Sequence, residues 1–87
     1  MVRQKVKIRN LTGLHFRPAG IFCNVANQFE CKVTFEFRNT SANAKSMLSV
    51  LGARIKAGDE IELVCEGEGE EEALKAMVEA VESGLGE

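Results

Sequence analysis

Three short runs in this chain alternate apolar and polar residues with a period of two, and each offers one apolar face only. Val2, Gln4, Val6 and Ile8 alternate with Arg3, Lys5, Lys7 and Arg9. Cys31, Val33, Phe35 and Phe37 alternate with Lys32, Thr34, Glu36 and Arg38, and Ile61, Leu63 and Cys65 with Glu60, Glu62 and Glu66. Alternation of this kind is the mark of a half-buried strand. Strands buried on both faces read as continuous apolar runs, and none occurs here. The pattern therefore predicts an antiparallel sheet with helices on one side and water on the other.

Between the strands the period lengthens. From about Phe16, the residues Ala19, Phe22, Cys23, Ala26 and Phe29 recur every three or four positions and form one helical face. Pro18 is tolerated because it falls in the first turn, where its missing N–H leaves no helical bond unmade. Asn10 to Leu14 reads as a turn around Gly13, and Asn39-Thr40 as a turn into a short third strand near Ser41 to Ala44. Ser46 is an N-cap candidate for a short helix containing Met47, Leu48, Val50 and Leu51, which Gly52 can close. Gly67-Glu68-Gly69 ends the fourth strand. A last helix runs from about Glu70 to Ser83, with Leu74, Met77, Val78 and Val81 on one face and three acids in its first turn. The order is β-α-β-β-α-β-α, an α+β arrangement in one domain spanning residues 1–87.

An apolar fraction of 45% suits a folded globular chain. No stretch approaches the ~20 apolar residues of a membrane span, and the first residues alternate instead of forming a signal-peptide core, so no membrane insertion and a cytoplasmic location are expected. Cys23, Cys31 and Cys65 lack CxxC spacing and read as small buried hydrophobes, with no metal site and no cofactor expected. The net charge of −2 conceals a segregation: residues 1–58 carry ten Lys and Arg against two Glu, and residues 59–87 carry one Lys against eleven acids. That split serves either attraction within the fold or recognition of acidic and phosphorylated partners. Direct nucleic-acid binding has no support: the chain has neither Trp nor Tyr, and no zinc-finger or glycine-loop signature.

His15 is the only histidine, placed after Gly13 at the start of the first helix. A neutral imidazole is a nucleophile near neutral pH, and the unpaired N–H groups of a helix start receive anions. Beside it, the N–H groups of Phe16 and Arg17 would face a phosphate, and the Arg17 guanidinium can pair with one. This is the equipment of a phosphoryl acceptor; the plainer alternative is that His15 merely caps the helix. A Ser-His-Asp arrangement would need distant partners such as Ser46 or Asp59. Ser46 likewise has two readings, helix cap or phosphorylation site. Phe16 lies off the apolar face of its helix and is expected to be exposed. Met47 or Leu51 can stay exposed beside His15 as a docking surface, and methionine suits a surface that accepts several partners.

Gly13-Leu14-His15-Phe16-Arg17-Pro18-Ala19 closely resembles the active-centre motif of the HPr phosphocarrier proteins of the bacterial phosphotransferase system, and Asn43-Ala44-Lys45-Ser46-Met47-Leu48-Ser49-Val50 their regulatory serine segment. The likeness extends over the whole chain. It implies an open-faced β-sandwich, a four-stranded antiparallel sheet covered on one side by three helices. It implies that His15 takes a phosphoryl group on Nδ1 from phosphoenolpyruvate-charged enzyme I and passes it to sugar permease A components, with Arg17 meeting the phosphate. Such a protein is a carrier and not an independent catalyst. Ser46 would be the target of an HPr kinase/phosphorylase, its phosphorylated form binding a LacI-type catabolite repressor, and Phe16, Met47, Leu48 and Leu51 would form the docking patch. Three departures stand out: Phe16 where alanine is usual, Gly20 where a small residue such as threonine is common, and Met47-Leu48-Ser49 where isoleucine-methionine-glycine is usual. The opening residues and the Asn43 to Ser46 run also resemble the catabolite-repression HPr-like branch, which keeps the serine and lacks the histidine. That likeness implies the alternative of a mainly regulatory protein acting through Ser46.

Overall fold

The computed structural model describes residues 1–86, in the order β1 (Val2–Lys7), α1 (Phe16–Ala26), β2 (Lys32–Phe37), β3 (Thr40–Asn43), α2 (Met47–Gly52), β4 (Glu60–Glu66) and α3 (Glu70–Glu82). The strands form one sheet in the order β1-β4-β2-β3, every neighbouring pair antiparallel. Register places Val6 opposite Ile61, and Phe35 opposite Leu63, so the apolar rows of the alternating runs share one face. Onto that face pack Phe22, Cys23 and Ala26 of α1, Val50 of α2, and Ala73, Met77 and Val81 of α3. Phe22 meets Phe35 edge to face, ring centroids 5.7 Å apart, the geometry that aromatic quadrupoles favour. Three helices on one side of a four-stranded antiparallel sheet match the one-sided cover that the alternation predicts and make the open-faced sandwich that the resemblance implies.

The structure alters several details. Gln4, in the inward row of β1, is exposed at the sheet edge. Val64 belongs to the outward row of β4 yet is only 6% exposed. Arg3 of β1, opposite Val64, reaches across β4 to bond Glu36 of β2 at 2.9 Å, so its stem shields the valine. Phe29 lies beyond the end of α1 and is half-buried, not part of its helical face. On α3 the innermost residue of the second turn is Ala73, whereas Leu74 and Val78 are half-buried. Leu14 and Leu85, which no periodicity marks, both belong to the core.

The segregated charge is partly spent inside the fold. Basic β1 pairs with acidic β4, with Lys5 opposite Glu62 and Lys7 opposite Glu60, and Arg3 reaches Glu62 at 3.9 Å. Exposed pairs of this kind contribute about 0–1 kcal/mol each. At the foot of the sheet Glu70 accepts from the Gly67 N–H and pairs with the Met1 amine at 2.9 Å; these contacts lower its carboxyl below the ordinary value.

The segment between β1 and α1 is held against the chain entering β4. Ile8 donates to the Asp59 carbonyl and accepts from the Gly58 N–H, both at 2.8 Å, and Leu14 donates to the Ile55 carbonyl at 3.0 Å. Gly13 adopts φ +66°, and a Cβ there would collide with the Ile55 carbonyl oxygen and lie 2.8 Å from Lys56 Cα. Gly58 also has a positive φ, +89°, but faces open space. Gly58→Ala should therefore cost about 1 kcal/mol, the conformational penalty alone, and Gly13→Ala at least about 2 kcal/mol more. Urea denaturation of both variants checks this; equal losses would mean that the close approach at Gly13 is absent.

Candidate functional site

His15 is the N-cap of α1, with extended backbone (φ −81°, ψ −172°). Its carbonyl accepts the Ala19 N–H at 2.8 Å, but its imidazole makes no capping bond. The ring is exposed and is free for chemistry. Its one aromatic neighbour is Phe16, edge to face at a centroid distance of 5.9 Å. His15 thus caps α1 with its backbone, and its ring takes no part in the cap.

The open donors follow from the sequence. In the first turn Pro18 has no N–H, and the Ala19 N–H is already bonded to His15. That leaves the N–H groups of Phe16 and Arg17 without partners among the described residues, at the positive end of an eleven-residue helix. Arg17 is exposed, and its guanidinium forms no ion pair among the described residues. A nucleophilic ring, two aimed N–H groups and one unpaired guanidinium therefore share the first turn. Behind them Asn10, only 5% exposed, donates to the Gly13 carbonyl and braces the turn, while its buried Oδ1 has no partner.

α2 packs on α1, with Ser46 at its start following a segment held at the C-terminal end of α1. Ser46 is its N-cap, Oγ accepting the Ser49 N–H at 3.2 Å, as its position before an apolar turn predicts. The segment before it is stapled to α1: Asn27 of the α1 C-cap donates to the Lys45 carbonyl at 3.2 Å, and the Lys45 ammonium donates to the Phe29 carbonyl. Met47 is only half-buried, with its sulfur 3.9 Å from Cys23 Sγ and its methyl 4.0 Å from where a Gly20 Cβ would be. The glycine that departs from the usual motif thus lies where α2 meets α1.

The docking patch has a different emphasis from the one expected. Leu48 is 84% exposed and Phe16 68%, while Met47 and Leu51 are half-buried against the core. In so short a helix the buried position is Val50, which points Leu48 outward. One contributor was invisible in the sequence. The chain beyond α3 turns back through the buried Leu85 so that Gly86 lies beside Ile21 and Arg17, a Cβ there being 3.8 Å from Arg17 Nε. The two glycines flanking Leu85 are the signal available, since all three residues have positive φ.

Other chemistry has little to build on. Cys23, Cys31 and Cys65 are buried free thiols; burial raises that of Cys23, and burial with Cys31 and Glu70 nearby raises that of Cys65 to about 11. No group of three or more metal-ligating side chains and no helix long and apolar enough to cross a membrane occurs among the described residues.

The fold is that of a small α+β open-faced sandwich with an exposed histidine heading its first helix, and comparison with known proteins gives the family. The family model described as the PTS HPr component phosphorylation site matches residues 2–83. The HPr-like protein Crh of Bacillus subtilis is 39% identical over 94% of this chain and 96% of its own length. The phosphocarrier protein HPr of Streptomyces coelicolor is 40% identical, over 100% of this chain and 95% of its own. In structure, HPr-C-His from Thermoanaerobacter tengcongensis superposes with a TM-score of 0.97 at 39% identity, covering 100% of this chain and 98% of that one. The chain belongs to the HPr family of the phosphotransferase system, which includes the Crh branch.

The exposure of Phe16 carries a test. Phe16→Ala should leave the melting temperature within about 2 °C, since the ring contributes little to the core. A fall of more than about 8 °C by calorimetry would place the ring in the packed interior.

Proposed function

We propose that this protein is a phosphocarrier: His15 accepts a phosphoryl group from phosphoenolpyruvate-charged enzyme I and passes it to sugar permease A components. The observation that carries this reading is the exposed, unbonded imidazole of His15 beside the partnerless N–H groups of Phe16 and Arg17. In the step, neutral Nδ1 attacks phosphorus, an N–P bond forms, and the bond from phosphorus to the donor breaks, leaving the donor imidazole to take the electron pair. The negative oxygens then face the helix start, where the two N–H groups and the Arg17 guanidinium stabilise them. No carboxylate lies near His15 in sequence to activate water, which suits a group meant to survive until the next partner arrives. Phe16, Leu48 and the accessible edges of Met47 and Leu51 form the apolar surface on which partners dock.

Incubation with phosphoenolpyruvate and enzyme I should yield an acid-labile, base-stable phosphoprotein. His15→Ala should abolish it, and Arg17→Ala should slow it at least about tenfold, the loss of one charge-assisted contact of about 1.5 kcal/mol. Absence of label on the unaltered chain would overturn the carrier reading.

A second reading is supported by the likeness to Crh and by Ser46 at a helix start. In it an HPr kinase/phosphorylase modifies Ser46, and the phosphorylated protein serves as corepressor for a LacI-type repressor in carbon catabolite repression. The two readings are linked electrostatically, because a phosphate on Ser46 adds about two negative charges to the face that must receive another phosphoryl group. Stoichiometric Ser46 phosphorylation should therefore slow labelling of His15, and an unchanged rate would refute the coupling.

A further inference from the structure

We propose that the cavity between the β2–β3 hairpin and the end of α2 binds a small organic anion, an apolar group carrying a phosphate or carboxylate. It has a volume of about 400 Å³ and is lined by none of the residues of the His15 face. Its rim carries Arg38, Arg54 and Lys56, and no carboxylate lines it. None of those three cations forms an ion pair among the described residues. Other hollows on the sheet differ in this respect: one sets Lys5 and Arg38 among Glu36, Glu60 and Glu62, and another sets Arg3 and Lys32 beside Glu36 and Glu66. The floor is apolar, with Phe37 and Ala53, and the Arg38 guanidinium lies 5.0 Å over the Phe37 ring. An acid with an apolar body meets both halves of such a surface, its charge on the arginines and its body against the ring.

The backbone supplies a second, independent observation. Arg38 has φ +51° at the first position of the tight β2–β3 turn, and Arg54 has φ +55° directly after the C-cap of α2. Glycine or asparagine is the ordinary occupant of both positions, because a bulky side chain is disfavoured there. Two arginines in left-handed conformation on the rim of one cavity point to a use for their guanidinium groups. The site also touches the support of His15. Ile55, between Arg54 and Lys56, holds the Leu14 N–H at 3.0 Å, one residue before the histidine.

Amide chemical shifts read the test, with phenyl phosphate, benzoate, inorganic phosphate and benzyl alcohol as probes. Phenyl phosphate should give saturable shifts at residues 37–40 and 52–56 with a dissociation constant of about 1 mM or below. Benzoate should bind the same residues about tenfold more weakly, and benzyl alcohol should not bind. Arg54→Gly relieves the left-handed strain, so it should fold with an unchanged or higher melting temperature while losing about tenfold in affinity; Lys56→Gln should lose a similar factor. Three results would overturn the proposal: no saturable shift with phenyl phosphate, shifts confined to residues 15–17 and 46–49, or full affinity in Arg54→Gly. Inorganic phosphate matching phenyl phosphate would overturn the role given to the apolar floor.

Discussion

The hydrogen bond from the Leu14 N–H to the Ile55 carbonyl is the contact on which the working face depends. It lies where the chain leaves β1 and has not yet entered α1, and it ties that point to the segment preceding β4. Gly13 is pressed so closely against that segment that a side chain has no room. With Leu14 buried one residue later, the first turn of α1 can start only at one place and in one direction. His15 inherits its position from this arrangement: its own ring is bonded to nothing, yet the backbone beneath it is anchored on both sides. An exposed group on so firmly held a backbone avoids the ordering cost that a mobile loop would add on any encounter.

The basic half of the chain has three physical destinations. Arg3, Lys5 and Lys7 face the acids of β4 and β2, where they help align the sheet and cover Val64. Lys45 turns inward to the Phe29 carbonyl and helps hold α2 on α1. Arg17, Arg38, Arg54 and Lys56 form no ion pair with any described carboxylate. Among the described residues only Arg3 of the ten cations in residues 1–58 reaches a carboxylate, so little of the segregated charge is neutralised by ion pairs within the fold.

The strands were legible because alternation reports directly on a sheet with one wet face, and the helices because their period and the Ser46 cap are local signals. What escaped was non-local. Val64 is covered by Arg3 of the neighbouring strand, whose guanidinium bonds Glu36 of β2, a contact that exists only once β4 lies between β1 and β2. Leu85 fills the core after the last helix has ended, where no period can mark it. Within α2, composition identified the apolar residues, but assigning Val50 inward and Leu48 outward required knowing where α1 lies. That His15 and Arg17 share the start of α1 was legible because residues two apart at a helix start fall in one turn; the approach of Gly86 to Arg17 had no comparable signature.

That approach has a practical side. Leu85 pins the chain end into the core, and Gly86 emerges beside Arg17 at the head of α1. A bulky or acidic side chain at Gly86 would be brought against the Arg17 guanidinium, which forms no ion pair among the described residues. Attachments intended to leave the head of α1 undisturbed belong at an exposed residue of another loop, such as Glu68 between β4 and α3.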